Sequence, residues 1–311
     1  MQYIKGVTFA PFTRRGLFSS EEARQSLENL IARTNADFII LVPPALQETP
    51  QSETMDYAAD WSVGDEELIE FIAFAHSRGL RVALKPTVNC KNGTWRAHIN
   101  FFDHDVPCEP KWCNWFKSYT EFQLHYAAIA EKTGCEMFIA GCEMVQTERR
   151  EAEWRQLIAD IRTVYTGPVS YNTDKYQEDH VKWWDAVDVI SASGYYPLGD
   201  WDNQLDRIEK VVKHFNKPFF FAECGCMSTE GSNAVPNDWG VKGAVDMQGQ
   251  ADWYNEMFTS CAKRDWVRGF ALWDWRGLQY TEEEAKTDTG YDVYLKPAEK
   301  VVADFYKNHK A

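Results

Sequence analysis

Several features that would fix the class of a protein at once are missing from this chain. No apolar run approaches the roughly 20 residues a membrane-spanning helix needs. The opening Met1-Gln2-Tyr3-Ile4-Lys5-Gly6 leads into a strand-like segment with no secretory hydrophobic stretch. The expectation is a cytoplasmic protein, or a secreted one if a leader has been removed. Positive charge is in deficit: 33 Lys and Arg against 47 Asp and Glu leave a formal net charge of -14. Such a chain is repelled by nucleic acid and by anionic membranes, so neither is expected as a partner. The 8 Cys and 7 His lack metal-ligand spacing. Cys108/Cys113 and Cys224/Cys226 are close pairs without histidine partners, and His98 and His104 have no companion at regular spacing. No metal and no cofactor is expected, and the cysteines read as reduced, mostly buried thiols. No glycine-rich phosphate turn follows a strand, since Gly6-Val7-Thr8 does not match that pattern.

What the chain has in abundance is aromatic: 13 Trp, 14 Tyr and 18 Phe. Rings fill cores, which accounts for most of them, and their flat faces also stack on sugars. At 44% hydrophobic with dispersed charge the chain is globular. No linker or shift in composition divides it, so residues 1–311 are expected to form one domain.

Strand-length apolar runs alternate with amphipathic helices. Strands are expected at Tyr3–Phe9, Asp37–Val42, Leu80–Lys85, Cys135–Ala140, Pro168–Tyr171, Val187–Ser193, Pro218–Ala222 and Val267–Trp273. Helices are expected at Glu21–Arg33, Asp65–Arg78, Trp112–Thr133, Glu151–Tyr165, Leu205–Phe215, Gln248–Arg264 and Pro297–Asn308, with a short one around Asp179–Trp184. Eight such units fit the α/β class as a closed (β/α)8 TIM barrel better than a doubly wound open sheet, the runner-up. The span from Thr87 to Pro110 reads as a long loop, and its aromatic content points to a functional one.

In such a barrel the C-terminal strand ends share one mouth. Lys85, Glu143, Asn172, Tyr195 or Tyr196, Glu223 and Trp273 fall there. The run Phe219-Phe220-Phe221-Ala222 delivers Glu223, and Met137-Phe138-Ile139-Ala140 delivers Glu143. A carboxylate at the end of an apolar strand is costly unless it is used. Strands four and seven lie across the mouth from each other, so the two glutamates can face each other over a bound bond. Retaining glycoside hydrolysis needs such a pair about 5–5.5 Å apart, one protonated and one ionised. Glu136 and Glu148 compete with Glu143 locally, but the first lies at the wrong end of its strand and the second in the following segment. Trp273 and Trp275 alternate with Asp274, so both are expected to point inward and Asp274 toward the helices. Trp112 and Trp115 open a helix and read as packing, and Glu282–Glu284 as a solvated face. An aldolase or a metal-dependent hydrolase would want a lysine on strand six or a histidine-rich mouth, whereas strand six ends in Ser191-Ala192-Ser193-Gly194-Tyr195.

Six short motifs add a resemblance over nearly the whole chain. They are Leu84-Lys85-Pro86, Thr94-Trp95-Arg96, Gly141-Cys142-Glu143, Phe221-Ala222-Glu223, Leu272-Trp273-Asp274-Trp275 and Leu295-Lys296-Pro297-Ala298. In this order and spacing the chain resembles glycoside hydrolase family 113, the β-mannanases within the clan A retaining glycoside hydrolases. The resemblance implies double-displacement hydrolysis of β-1,4-mannan or imported manno-oligosaccharides, with a β-linked oligosaccharide as partner and no cofactor. It implies Glu143 as general acid/base and Glu223 as nucleophile. A tyrosine after strand six would hydrogen-bond the nucleophile, with Tyr196 favoured over Tyr195. Trp273 would be the floor under the reacting sugar, with Trp275 beside it. Lys85, Trp95 and Asn172 would contact the sugar. Cys142 departs from the wider clan, where asparagine there holds the sugar 2-hydroxyl. A thiol is a poor donor, so that hydroxyl is handled differently here. A retaining enzyme for β-xylosides, β-glucosides or β-galactan stays open as the alternative, as does a non-catalytic carbohydrate-binding barrel, against which both carboxylates speak. The oligomeric state is left open.

Overall fold

Period-two alternation sorts the strand residues into two cores. Ile4, Phe38, Ile40, Ala83, Ile139, Val189, Phe220, Ala222 and Ala271 form one cluster, inside a barrel. Their neighbours Val7, Ile39, Leu41, Val82, Phe138, Phe219 and Phe221 pack outward in a second cluster with the helices. The strands are Ile4–Phe9, Phe38–Leu41, Arg81–Leu84, Met137–Cys142, Val169–Thr173, Val189–Ser193, Phe219–Cys224 and Val267–Trp275 in a computed structural model that describes residues 1–59 and 61–309. All pair in parallel, each with its successor and the eighth with the first, which closes the (β/α)8 barrel.

Helices follow every barrel strand but the fifth: Glu21–Thr34, Asp65–Ser77, Trp112–Thr133, Glu151–Ile161, Trp201–Phe215, Met247–Cys261 and Pro297–Asn308. Their ends follow local chemistry. Ser20 accepts from the Ala23 N–H at the first helix, and Asn35 and Gly134 close helices in the left-handed conformation. The helix expected around Asp179–Trp184 is absent, and a single 3-10 turn, Trp184–Ala186, stands there. Two indoles hold this segment by backbone carbonyls instead: Trp183 donates to Glu148 O at 3.0 Å and Trp184 to Glu178 O at 2.8 Å. Trp115, Trp154, Trp183, Trp184, Trp201, Trp253 and Trp275 are all fully buried, so most of the aromatic excess builds the outer core.

The span expected as loop after strand three is partly strand. Beyond Pro86, Thr87–Cys90 pairs in parallel with Pro44–Gln47 and forms a two-stranded sheet above the barrel. Pro86 offers no N–H to the ladder, which separates this small sheet from the barrel. Its residues Pro44, Thr87 and Asn89 form one wall of the cavity described next. Among the described residues no helix is long and apolar enough to cross a membrane.

Candidate active site

Three barrel strands carry an extra residue near their C-terminal ends, and each extra residue redirects a side chain. In strand seven the pairing passes from Ala192↔Phe221 to Ser193↔Glu223, two residues against one. Strict alternation would send Glu223 away from the interior face that Ala222 occupies. The bulge lets both face inward. In strand four the pairing passes from Ile139↔Ser170 to Cys142↔Asn172, three residues against two. The extra residue here includes Gly141 at φ 110°, where a Cβ would strike the Tyr119 hydroxyl and a non-glycine backbone would be strained. Glu143 follows with φ 52°, a left-handed conformation uncommon outside glycine and found at functional positions. One oxygen of Glu143, one of Glu223 and the Cys142 Sγ all lie within 4.8 Å of one another.

The surroundings of the two carboxylates differ in kind. Glu223 is 5% exposed. Its Oε1 accepts from the buried Lys85 ammonium and, at 3.2 Å, from the Cys142 thiol. Its Oε2 accepts from the Tyr195 hydroxyl at 3.2 Å. Burial alone would favour the protonated acid. The Lys85 and Arg96 charges, with the bonds from Lys85 and Cys142, outweigh it and hold the Glu223 carboxyl below its usual range. Burial pushes the Tyr195 hydroxyl and the Cys142 thiol well above their ordinary values, so both keep the protons they donate. Cys142, Glu143 and Glu223 could in principle offer three ligand atoms to a cation. Lys85 and a protonated thiol already occupy the Glu223 oxygen, so the donor set does not fit one. Glu143 is 9% exposed and among the described residues accepts only from neutral groups, Ser193 Oγ at 2.8 Å and the Trp95 indole at 3.1 Å.

Both carboxylates open onto a cavity of about 540 Å³ lined also by Trp95, Arg96, Asp174, Lys175, Tyr195 and Trp273. Trp273 forms its aromatic floor, packed edge-on against Phe12 at 5.8 Å and Trp239 at 6.2 Å. Phe12 and Trp239 are themselves exposed at the rim.

Five of the expected site residues are placed elsewhere. Lys85, Asn172 and Cys142 are fully buried beneath the floor, where Lys85 Nζ bridges Glu223 and, at 3.1 Å, Asn172 Oδ1. They support the Glu223 carboxylate rather than line the cavity. Tyr195, not the favoured Tyr196, reaches Glu223. Tyr196 points outward and donates to the buried Glu178. Trp275 also points outward, its indole bonded to Ser26 Oγ at 3.1 Å on the first helix. The pairing with strand one passes from Val7↔Leu272 to Phe9↔Trp275, three residues against two, so the alternation that would turn Trp275 inward is lost. Trp95, Tyr195, Trp273 and both glutamates are brought together as expected. Arg96, Ser193, Asp174, Phe12 and Trp239 join the site without being expected there. Ser193 and Asp174 had a signal, a polar side chain at the end of a barrel strand. Phe12 and Trp239 lie on loops with none.

Glu136 and Glu148 lie off the cavity. Glu136 accepts from Val82 N at 2.7 Å at the opposite end of strand four. Glu148 is buried and accepts from the Tyr171 and Thr173 hydroxyls, each at 2.7 Å. Burial pushes its carboxyl up to about 8 against the pull of those bonds, from a usual value of 4.5. As pH rises from about 5 to 8 the unfolded chain has already lost a proton that the folded chain keeps, so this group lowers stability across that window. Glu148→Gln keeps an acceptor oxygen and removes the titration. Its melting temperature is expected to fall less than that of the wild type between about pH 5.5 and 8, by several degrees in a thermal denaturation series.

A (β/α)8 barrel that holds two carboxyl oxygens this close at its C-terminal mouth has the architecture of a retaining glycoside hydrolase, since inverting pairs stand about 6.5–9.5 Å apart. The chain matches the model of Glycoside Hydrolase Family 113 over residues 7–296 and belongs to that family. A solved complex of a family 113 β-1,4-mannanase is 55% identical, with a TM-score of 0.98 over 99% of this chain and 100% of its own. The β-mannanase AaManA from Alicyclobacillus acidocaldarius, in complex with ManMIm, is 41% identical, with a TM-score of 0.95 over 99% of this chain and 98% of its own. A Ruminococcus gnavus β-glucuronidase shares the fold alone, at 15% identity and a TM-score of 0.65 over 98% of this chain and 50% of its own. No curated protein matches the chain.

Proposed function

We propose that the protein is a retaining β-1,4-mannanase acting on mannan or manno-oligosaccharides, with Glu223 as nucleophile and Glu143 as general acid/base. The observation that carries this reading is the contrast between two carboxylates whose oxygens lie within 4.8 Å. Glu223 is held ionised by a cation, a thiol and a phenol, while Glu143 accepts from two neutral donors, Ser193 and Trp95. In the first step Glu223 attacks the anomeric carbon and Glu143 gives its proton to the departing glycosidic oxygen. In the second, Glu143 takes a proton from water as that water displaces Glu223. Lys85 and Tyr195 keep the nucleophile fixed between steps, Ser193 and Trp95 orient the acid, and Trp273 stacks under the reacting sugar. Neither step needs a cofactor. Both family relatives are described as β-mannanases, which supports mannose as the sugar.

Mannohexaose, xylohexaose and cellohexaose incubated side by side test the substrate class. Mannohexaose is expected to be cut to shorter manno-oligosaccharides, and the other two at least about 100-fold more slowly. Comparable cleavage of xylohexaose or cellohexaose would move the assignment to a different β-glycan.

A further inference from the structure

Nearly every donor beside the two carboxylates is spent on the protein itself. Lys85 is shared among Glu223, Asn172 and the Ala222 carbonyl, while Cys142 and Tyr195 donate to Glu223. Trp95 and Ser193 donate to Glu143. Two groups are exceptions, the Trp273 indole N–H, which is sealed and unpartnered in the floor, and Arg96, the charged one of the two. Arg96 lines the cavity, and its charge acts on both Glu143 and Glu223. Its guanidinium makes no hydrogen bond to any described residue, and Nε is sealed from solvent without a partner. A guanidinium carries five donors in a rigid fork, and a desolvated donor left unpaired is costly. Such a group is completed by an acceptor that arrives with a ligand.

The position of the two carboxylates says which acceptor. With Glu223 against the anomeric carbon and Glu143 against the leaving oxygen, the one hydroxyl on a carbon bonded to the reacting centre is the 2-hydroxyl. Bonds to that hydroxyl strengthen toward the transition state. Cys142 and Asn172 are fully buried and their donors are already spent, the thiol on Glu223 and the amide on Thr173 O and Ser193 Oγ. We propose that Arg96 donates to the 2-hydroxyl of the reacting sugar and thereby contributes to the choice of configuration at that carbon. The proposal rests on Glu223 being the nucleophile.

A cycle of two protein changes and one substrate change tests it. Wild type, Arg96→Lys and Arg96→Met are assayed on a nitrophenyl β-mannoside and on its 2-deoxy analogue. Arg96→Met is expected to lower kcat/KM about 100-fold on the mannoside and less than about 3-fold on the 2-deoxy substrate. Arg96→Lys, which keeps a charged donor, is expected to recover part of the loss on the mannoside alone. Equal losses on both substrates, for both variants, would overturn the role of Arg96. Glu223→Ala assayed alongside separates the two readings. If it keeps wild-type turnover, the nucleophile assignment falls, and the inference with it. If it is inactive while the Arg96 losses are equal on both substrates, only the inference about Arg96 falls.

Discussion

Glu223→Ala is expected to lower kcat/KM on mannohexaose by at least about 100,000-fold while mannohexaose still binds, as read by steady-state kinetics and calorimetry. The loss is large because no other carboxylate can take over the attack. Glu143 is committed to the leaving oxygen, and Asp174, a further carboxyl lining the cavity, stands just past the end of strand five. Burial and the Glu143 charge push the Asp174 carboxyl up to about 7, so it is a poor nucleophile below neutral pH. The substitution also leaves the Lys85 ammonium buried with only Asn172 Oδ1 and the Ala222 carbonyl. Removing one partner of a buried pair costs about 3–5 kcal/mol, so the variant is expected to melt lower. Glu223→Gln keeps an acceptor for Lys85 and separates the two effects: equally inactive, but closer to wild type in stability. Azide is small enough to enter the space left by the carboxylate. It is expected to restore turnover of an aryl β-mannoside by Glu223→Ala and to give the α-configured glycosyl azide, because attack comes from the face Glu223 occupied.

Glu143→Gln carries the second large effect, and its size is expected to depend on the leaving group. On mannohexaose the departing alkoxide needs a proton, and losing the acid is expected to cost about 1,000- to 10,000-fold in kcat. On a dinitrophenyl β-mannoside the leaving group departs unassisted, so the first step is spared and the glycosyl-enzyme accumulates as a burst. Gln keeps one oxygen to accept from Ser193 or Trp95, so the site stays assembled. Equal losses on the natural and activated substrates would remove Glu143 from the acid role.

Much of this site is legible in the sequence, and the parts that are not share a cause. The helices Trp112–Thr133 and Pro297–Asn308 are read to the residue, because their apolar spacing and their stop at Gly134 or start at Pro297 are local. The order of the strands is equally local, and in a parallel barrel order alone carries Glu143 and Glu223 to one mouth. Direction within a strand is another matter. Trp275 follows alternation on paper and turns outward in the fold, because one more residue stands in strand eight than in the stretch of strand one it pairs with. Glu223 reaches the interior by the same device. A bulge is a property of two strands and the helices behind them, and no period within one strand reveals it. Tyr195 and Tyr196 are adjacent and chemically alike. What separates them is the buried Glu178 behind Tyr196, on the irregular segment just before the expected short helix around Asp179–Trp184. Lys85 stands at the expected strand end but deeper than a sugar contact would. Its side chain passes under Glu223 because the carboxylate and Asn172 satisfy its charge there.

The measurement closest to the central claim is covalent trapping. Wild type is incubated with 2-deoxy-2-fluoro-β-mannosyl fluoride, digested, and its peptides weighed. One fluoromannosyl adduct is expected, on the peptide that carries Glu223, and none with Glu223→Gln. An adduct on Glu143, or an α-configured first product from mannohexaose, would contradict a double displacement through Glu223.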